Sequence, residues 1–334
     1  MTSRRAIVRG VLGVVGVGAG VGVGVPTLSG LLAGCGKGVT GPRPIAGDRA
    51  EPQREIACPV APLFSISLAQ WSFHRALYAG TMDHLDFAPT ARGLGIDAVE
   101  YVNVFFKDKA TDAGYLREMK SRADAAGVRS LLIMCDGEGA IGDPDPARRT
   151  KTIDNHEKWL DAAAALGCHS IRVNASSGGT FEEQQERTAD GLRRLCERGD
   201  TRGVNVIVEN HGGLSSHGGW LAGVMRRVDH PRCGTLPDFG NFRIRPGEEY
   251  NRYEGTRELL PWAKGVSAKS YDFNDAGEET TIDYARMLTI VADGGYRGHV
   301  GVEYEGSRLP EREGVLATKA LLERVRSSIT ERAS

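Results

Sequence analysis

The sequence predicts a single α/β domain folded as a (β/α)8 barrel. Eight short apolar runs alternate with eight helix-like segments between residues 63 and 332, a length that suits this barrel. The competing architecture is an open doubly wound sheet, which commonly carries a glycine-rich loop after its first strand. The segment SISLAQWSFH, which holds the first predicted strand, contains no glycine. The sequence therefore favours the closed barrel.

The predicted strands are continuous apolar runs, as expected of parallel strands with buried faces. They lie at 64–68, 98–104, 128–134, 170–174, 204–208, 234–236, 265–268 and 299–302. The predicted helices lie between them, at 83–94, 112–126, 146–166, 181–198, 221–228, 258–263, 282–293 and 314–328. Glycine precedes the next strand in AAGVRS, ALGCHS and DGGYRG, because it readily adopts the left-handed conformation that ends a helix.

The first residues predict export. Residues 1–34 contain Arg4 and Arg5, then a Gly/Val-rich apolar stretch, and LLAGC ends at Cys35. The arginine pair resembles a twin-arginine export signal, and LLAGC resembles a bacterial lipoprotein cleavage site, whose cysteine becomes lipidated. An uncleaved membrane anchor is the alternative. The sequence therefore predicts an exported, periplasmic or cell-surface protein attached to the membrane through lipidated Cys35.

Residues 35–62 are rich in Gly, Pro and charge without apolar periodicity, which predicts a flexible tether to the catalytic domain at 63–332. The net charge of -1, with both signs interspersed, gives no basic surface for nucleic acid. The cysteines beyond Cys35 lack the CxxC spacing of a zinc site and predict free thiols: Cys58, Cys135, Cys168, Cys196 and Cys233.

Three apolar runs in the second half of the chain end in an acidic residue. VNVIVENHGG places Glu209 there, GTLPDFGNF places Asp238, and GHVGVEYEG places Glu303. In a parallel barrel the carboxyl ends of the strands meet at one rim, where functional groups collect. The three acids therefore predict a shared metal or catalytic site.

An oxygen-rich site of this kind suits Mn²⁺ best, or Mg²⁺, with Co²⁺ or Zn²⁺ where an imidazole joins. Such an ion would bind a ketose through its carbonyl and neighbouring hydroxyl and stabilise the ene-diolate formed by proton loss. Glu209 and Glu303 are placed to flank the sugar, one removing the proton and the other returning it.

The segments ENHGG, DFGN, VSAKSYDF and GVEYEG resemble the sugar phosphate isomerase/epimerase family of xylose isomerase-like TIM barrels, which also includes endonuclease IV-type repair enzymes. The resemblance implies a divalent metal held by Glu, Asp, His and Glu from strands five to eight. Carried over to this sequence, these ligands are Glu209, Asp238 and Glu303, with the histidine position unfilled.

The fourth ligand is where the chain departs from the family pattern VHxK, because the corresponding residues are Val266-Ser267-Ala268-Lys269. Ser267 is a poor replacement for histidine. Either water, substrate or His211 completes the metal site, or the site has lost its metal. His211 is a candidate because it lies two residues after Glu209, and period-two alternation places both side chains on the same side of the strand. Lys269 either orients a substrate oxygen or pairs with Glu303.

Four further residues are predicted to contact substrate. Trp71 and His74 follow the first strand and predict an apolar wall and a hydrogen-bond donor, although core packing is an equal interpretation for Trp71. Arg172 and Asn174 close the fourth strand in SIRVNASSGG and predict contacts to sugar hydroxyls. Arg172 has the alternative role of structural partner to one of the acids.

Three functions follow from these features. The first is a metal-dependent sugar isomerase or epimerase acting on a small carbohydrate. The second is a lyase that uses the same ene-diolate to cleave 3-keto-glycosides, and the third is a non-catalytic sugar-binding lipoprotein. A repair nuclease is disfavoured by the predicted export and the absence of a basic surface.

Overall fold

The computed structural model describes residues 62–333, in which parallel strands alternate with helices. The barrel strands are β1 Ser65–Ala69, β2 Ala98–Val102, β3 Arg129–Met134, β4 Ser170–Val173, β5 Asn205–Glu209, β6 Cys233–Leu236, β9 Val266–Ser270 and β10 His299–Tyr304. A short antiparallel hairpin, β7 Arg243–Arg245 and β8 Glu248–Glu249, follows β6. The predicted export signal (1–34), Cys35 and almost all of the tether (35–62) lie outside the described residues.

The barrel strands form one parallel sheet in the order β6-β5-β4-β3-β2-β1-β10-β9. Its two edges, β6 and β9, are joined by isolated parallel bridges at Thr235–Ala263 and Asp238–Ser267. The backbone N–H of Ser267 donates to the carbonyl of Pro237 at 2.9 Å, which completes this seam. The predicted (β/α)8 barrel is confirmed.

The helices cover the outside of the barrel: α1 His74–Tyr78, α2 Phe87–Gly93, α3 Ala113–Ala125, α4 Pro146–Leu166, α5 Phe181–Asp200, α6 Gly218–Val228, α7 Arg252–Leu259, α8 Tyr284–Asp293 and α9 Glu311–Ala333. Asp112, Asp145 and Asp283 accept hydrogen bonds from first-turn N–H groups of α3, α4 and α8, which satisfies donors that the helix leaves unpaired. Gly167 ends α4 at a φ of 77°.

Two apolar layers hold the barrel together. The outer layer lies between strands and helices and includes the fully buried side chains of Trp159 and Trp220. The inner layer is small and fills part of the barrel interior: Ala69, Val102, Leu132, Met134, Ile207 and Leu236. Trp71 and Phe105 pack against this inner layer, and polar side chains take the rest of the interior.

The structure corrects the prediction at three elements. Helix α7 begins at Arg252, after the capping Asn251, and a 3₁₀ turn at Leu260–Trp262 follows it, where one helix over 258–263 is predicted. Pro261 explains the change, because proline fits the first turn of a helix but not its interior. Helix α1 and the β7–β8 hairpin are too short to show a period in the sequence.

Within the described residues, no helix is long and apolar enough to cross a membrane.

Gly191→Ala is expected to lower the free energy of unfolding. A Cβ at this position in α5 would overlap the backbone carbonyl of Ile141, which cannot move without shifting its loop. We expect a loss of about 1–3 kcal/mol in urea unfolding, as for other overpacked sites. Gly93→Ala on α2, where nothing lies within 4 Å of the added Cβ, is the matched control. Equal stability of the two variants would contradict the packing described.

Candidate functional site

The structure brings together the three predicted acids. Glu209 ends β5, Asp238 follows β6 and Glu303 lies near the end of β10, and all three are buried. One carboxylate oxygen from each lies within 4.8 Å of the oxygens from the other two. Side chains that are distant in sequence therefore form one group, called here the acid triad.

Strand β9 supplies two partners to the acid triad. Ser267 Oγ lies 2.7 Å from Asp238 Oδ2 and 2.7 Å from Glu303 Oε2. Lys269 Nζ donates to Glu303 Oε1 at 2.9 Å and to Glu305 Oε1 at 2.6 Å, and it lies 3.7 Å from Asp238 Oδ2. Lys269 is the register partner of Glu303 in the sheet, which explains why the buried ammonium reaches this carboxylate.

Strand β4 supplies the second cation. Arg172 Nε lies 2.8 Å from Glu209 Oε2, and Arg172 Nη1 donates to Asp136 Oδ1 at 2.7 Å. Asn174 Nδ2 donates to the same Asp136 oxygen at 2.6 Å. The Arg172–Glu209 contact lacks hydrogen-bond geometry, so the buried Glu209 Oε2 accepts no hydrogen bond from any described residue. Arg172 is thus an ion-pair partner of the acids, as the alternative interpretation of the sequence holds.

The DFGN segment fixes Asp238. Asp238 Oδ1 accepts hydrogen bonds from the backbone N–H groups of Gly240 at 2.8 Å and Asn241 at 2.7 Å. The Asn210 side chain accepts from the Asp238 N–H at 2.8 Å and donates to its carbonyl at 2.9 Å. Asn241 Nδ2 in turn donates to Glu209 Oε1 at 3.0 Å. Two of the three acids are therefore linked by one rigid turn.

Burial and charge act on the pKa values in opposite directions. Burial, together with the charges of Glu209 and Glu303, raises the pKa of Asp238 to about 7 against the opposing effect of Lys269. Burial would also raise the pKa of Glu303, but the charge and hydrogen bond of Lys269 hold it below its ordinary value. Burial opposes the charge on Lys269, yet the surrounding carboxylates raise its pKa.

The residues present fit a bound divalent cation. The connected group holds five carboxylates, Asp136, Glu209, Asp238, Glu303 and Glu305, against the two cations Arg172 and Lys269. Unbalanced buried charge is costly. Ser267 Oγ lies at hydrogen-bond distance from two carboxylates, but its hydroxyl has only one proton to donate. The contact with the other carboxylate is therefore favourable only if that carboxylate is protonated or a cation lies nearby. The all-oxygen donors and the unpartnered Glu209 Oε2 suit a hard ion such as Mg²⁺ or Mn²⁺.

A cavity of about 270 Å³, called here the first cavity, reaches the acid triad at Glu303. It is lined by Trp71, Val102, Met134, Asp136, Arg172, His211, Asn241, Glu303 and Glu305. A larger cavity of about 1070 Å³ lies between α3 and α4, on the outside of the barrel, and contains none of the triad. The first cavity is therefore the one at which chemistry involving these acids would occur.

The remaining predicted residues lie around the first cavity at different distances from the acids. Trp71 forms one wall and stacks on His74 with ring centroids 4.9 Å apart, while Phe105 extends the aromatic surface at 6.0 Å. His74 Nδ1 lies 2.7 Å from the Trp71 carbonyl oxygen, and His74 does not line the cavity. His211 is exposed and lines the cavity. Its ring nitrogens do not belong to the close group of possible metal ligands that the acid triad forms.

Two polar residues of the site escape the sequence analysis. Glu305 follows Glu303 by two positions in GVEYEG, so period-two alternation alone would have placed it on the same side. Asn241 lies within the DFGN segment, of which only Asp238 is singled out. Its hydrogen bond to Glu209 depends on the shape of the backbone turn at this position. A turn produces no periodic pattern in the sequence, so this contact could not be predicted.

Glu100 is a further buried acid inside the barrel. Its Oε1 accepts from Ser67 Oγ at 2.6 Å, and its Oε2 has no hydrogen-bond partner among the described residues. Gly301 on β10 leaves room for it, because a Cβ there would lie 2.6 Å from Glu100 Oε1. Burial, opposed by the Ser67 hydrogen bond and reinforced by the charges of Glu303 and Glu209, raises the pKa of Glu100 to about 8. This shift favours the protonated, neutral form of Glu100 at pH 7.

Comparison with known proteins identifies the family. A model described as a xylose isomerase-like TIM barrel matches residues 89–326, which is more than half of the chain. The chain belongs to this family. The 3'-dehydrocarminate deglycosidase alpha subunit of a Microbacterium species is 19% identical over 286 residues, covering 64% of this chain and 79% of that protein.

Solved structures share the fold. The 3-keto-D-glucoside 4-epimerase of E. coli is 17% identical with a TM-score of 0.60, covering 72% of this chain and 94% of that one. A D-psicose 3-epimerase is 12% identical with a TM-score of 0.62 (79% and 99% covered). A xylose isomerase-like barrel from Mycobacterium smegmatis, in complex with magnesium, is 17% identical with a TM-score of 0.59 (79% and 97% covered).

Glu100→Gln is expected to remove a pH dependence of stability. Folding raises the pKa of Glu100 from 4.5 to about 8. Between these two pH values the folded state holds a proton on Glu100 that the unfolded state has lost, so the wild-type protein loses stability as pH rises. We expect the free energy of unfolding of the wild type to fall relative to the variant by about 1.4 kcal/mol per unit between about pH 5.5 and 7.5.

The measurement is urea unfolding at several pH values with a chelator present. Glu313→Gln, an exposed position on α9, is the control and should run parallel to the wild type. A constant difference between Glu100→Gln and the wild type across this range would show that Glu100 is ionised in the folded protein.

Proposed function

We propose that the protein is a carbohydrate-acting enzyme that isomerises or epimerises a sugar by moving a proton on a carbon next to a carbonyl. The observation that carries this proposal is the acid triad, whose buried carboxylates lie within 4.8 Å of one another below a cavity open to small molecules. Paired carboxylates at one reacting carbon are suited to general acid–base catalysis.

The comparisons support this reaction class. The named substrate 3-keto-D-glucoside carries a carbonyl next to a carbon that bears hydrogen and hydroxyl, and D-psicose does as well. An epimerase acting beside such a carbonyl needs a base to remove the proton and an acid to return it. Two such groups are available here on strands three apart around the barrel, as Glu209 on β5 and Glu303 on β10.

We propose Glu209, Asp238 and Glu303 as ligands of a divalent cation. When bound, such an ion would polarise the sugar carbonyl as a Lewis acid. The oxygen-only donors favour Mn²⁺ or Mg²⁺ over Zn²⁺. Ser267 does not replace the histidine of the family, because its hydroxyl hydrogen-bonds two of the acids, so water, substrate or His211 would complete the coordination.

The chain's own residues then have separate tasks. Glu209 Oε2, which accepts no hydrogen bond, is the better candidate for the base, and Arg172 Nε lies 2.8 Å from it as its ion-pair partner. Lys269 holds Glu303 and Glu305 in place through its ammonium group rather than lining the cavity. Trp71 would cover one face of the sugar ring and exclude water from it.

Elimination is the second candidate reaction. The relative named as a deglycosidase subunit favours it. Removal of the C2 proton of a 3-keto-glycoside, next to the carbonyl, forms a C1=C2 double bond and expels the glycosidic substituent from C1. The third possibility of the sequence analysis, a sugar-binding lipoprotein without activity, would leave the carboxylate triad without a chemical task. Release of an aglycone separates elimination from epimerisation directly.

We also propose that the protein is exported and lipid-anchored. The support is the sequence alone, with its arginine pair and the LLAGC segment. An extracytoplasmic location would bring the active site into contact with glycosides outside the cell.

Glu209→Gln and Glu303→Gln are each expected to abolish proton exchange. We expect deuterium incorporation from heavy water into ketoses and 3-keto-glycosides to fall by about 10²- to 10⁴-fold, because neither amide can accept the proton. A chelator should have the same effect on the wild type, with activity restored by Mn²⁺. Glu313→Gln is the control, and circular dichroism checks folding. Full exchange in both variants would remove the proposed mechanism.

Cys35→Ser is expected to release the protein from the membrane. A thioether-linked lipid requires the cysteine sulfur, so the variant should no longer incorporate labelled fatty acid and should fractionate as an exported protein free of the membrane. Cys58→Ser in the predicted tether is the control and should remain attached. Membrane attachment that persists in Cys35→Ser would contradict the lipid anchor.

A further inference from the structure

We propose that a second cavity next to the first one binds the second sugar unit of a glycosidic substrate, so that the enzyme acts on a disaccharide or longer saccharide. This inference rests on the proposed function and specifies its substrate class. The second cavity measures about 340 Å³ and is lined by His211, Gly212, Gly240, Asn241, Arg243 and Glu249.

The two cavities are adjacent. His211 and Asn241 line both of them, so they form the boundary across which a ligand would extend. Asn241 also donates to Glu209 Oε1 at 3.0 Å, which places this boundary directly beside the acid triad. A ring held over the acids would therefore carry its substituent past Asn241 into the second cavity.

Size favours a ligand that spans both spaces. Pockets for small molecules measure about 300–1,000 Å³. The first cavity, at about 270 Å³, falls below this range, and the second, at about 340 Å³, is only just inside it. A single ring that fills the first cavity would use less than half of the combined volume of the two cavities.

The second cavity presents polar side chains that have no partner in the protein. Within residues 62–333, the His211 ring, the Arg243 guanidinium and the Glu249 carboxylate make no hydrogen bond or ion pair. Their neighbours differ, because Arg245 Nε pairs with Glu248 Oε2 at 2.5 Å and Tyr250 donates to Glu258 at 2.9 Å. Arg243 and Glu249 are register partners across the β7–β8 hairpin, which places a donor and an acceptor side by side.

The chemistry of the lining identifies the ligand class. It contains no aliphatic side chain and no Phe, Tyr or Trp, so it offers little to a flat apolar aglycone. Arg243 and Glu249 carry opposite charges, so the surface has no net attraction for a phosphate group. Paired donors and acceptors of this kind suit the hydroxyl groups of a neutral sugar ring.

At Gly240 the DFGN turn packs closely against Lys269 and Tyr271. A Cβ on Gly240 would lie 2.6 Å from both Lys269 Cγ and the Tyr271 hydroxyl, so the turn has no room for a side chain on that side. Gly240 and Asn241 line the second cavity, so the DFGN turn that fixes Asp238 also forms part of its wall.

The test compares two substrates with the same reacting ring, 3-keto-D-glucose and a 3-keto-disaccharide, by deuterium incorporation. We expect a higher kcat/KM for the disaccharide. Arg243→Ala and Glu249→Ala should each lower the ratio of disaccharide to monosaccharide kcat/KM about 10-fold, through KM, because one hydrogen bond to the second ring is lost. Arg245→Ala, on the same strand but outside the cavity lining, is the matched control.

An unchanged ratio in both variants, or an aryl 3-keto-glucoside preferred over the disaccharide, would overturn the inference. If no sugar exchanges hydrogen at all, the proposed function fails, and calorimetric titration of the disaccharide then tests the second cavity alone. Binding weakened about 10-fold by Arg243→Ala would still support a site for the second ring. Equal affinity of the variant and wild type would contradict it.

Discussion

The structure depends on how the barrel neutralises several buried carboxylates at one end. Glu209 and Glu303 are almost fully buried, and such groups are tolerated only with a compensating charge or proton. Arg172 on β4 reaches Glu209 on β5, and Lys269 on β9 reaches Glu303 on β10. Each cation lies on the strand next to that of its acid. The strand register therefore brings the opposite charges together, and the ion pairs in turn stabilise that register.

The seam that closes the barrel is also part of the site. Asp238 and Ser267 form a parallel bridge between β6 and β9, and their side chains hydrogen-bond at 2.7 Å. Ser267 contacts Glu303 at the same distance. The serine thus joins two acids at the position where the sequence resemblance implies a histidine. The site keeps an oxygen-rich, negatively charged character that suits a hard cation.

Sequence predicts the barrel and the acid triad, because apolar runs mark the strands and the carboxyl ends of parallel strands share one rim. It does not predict the bridging role of Ser267, which depends on the register of three strands far apart in the chain. The β7–β8 hairpin with Arg243 is also missed, since its strands of three and two residues are too short for alternation to appear. The second cavity is missed with it.

The central claim is that Glu209, Asp238 and Glu303 hold one cation together. The most direct measurement is a crystal structure of the protein soaked in Mn²⁺, with the ion located by its anomalous scattering. The account predicts one ion with a carboxylate oxygen of each of the three residues at about 2.0–2.6 Å. The claim would be contradicted by an empty triad at saturating Mn²⁺, or by an ion bound only elsewhere.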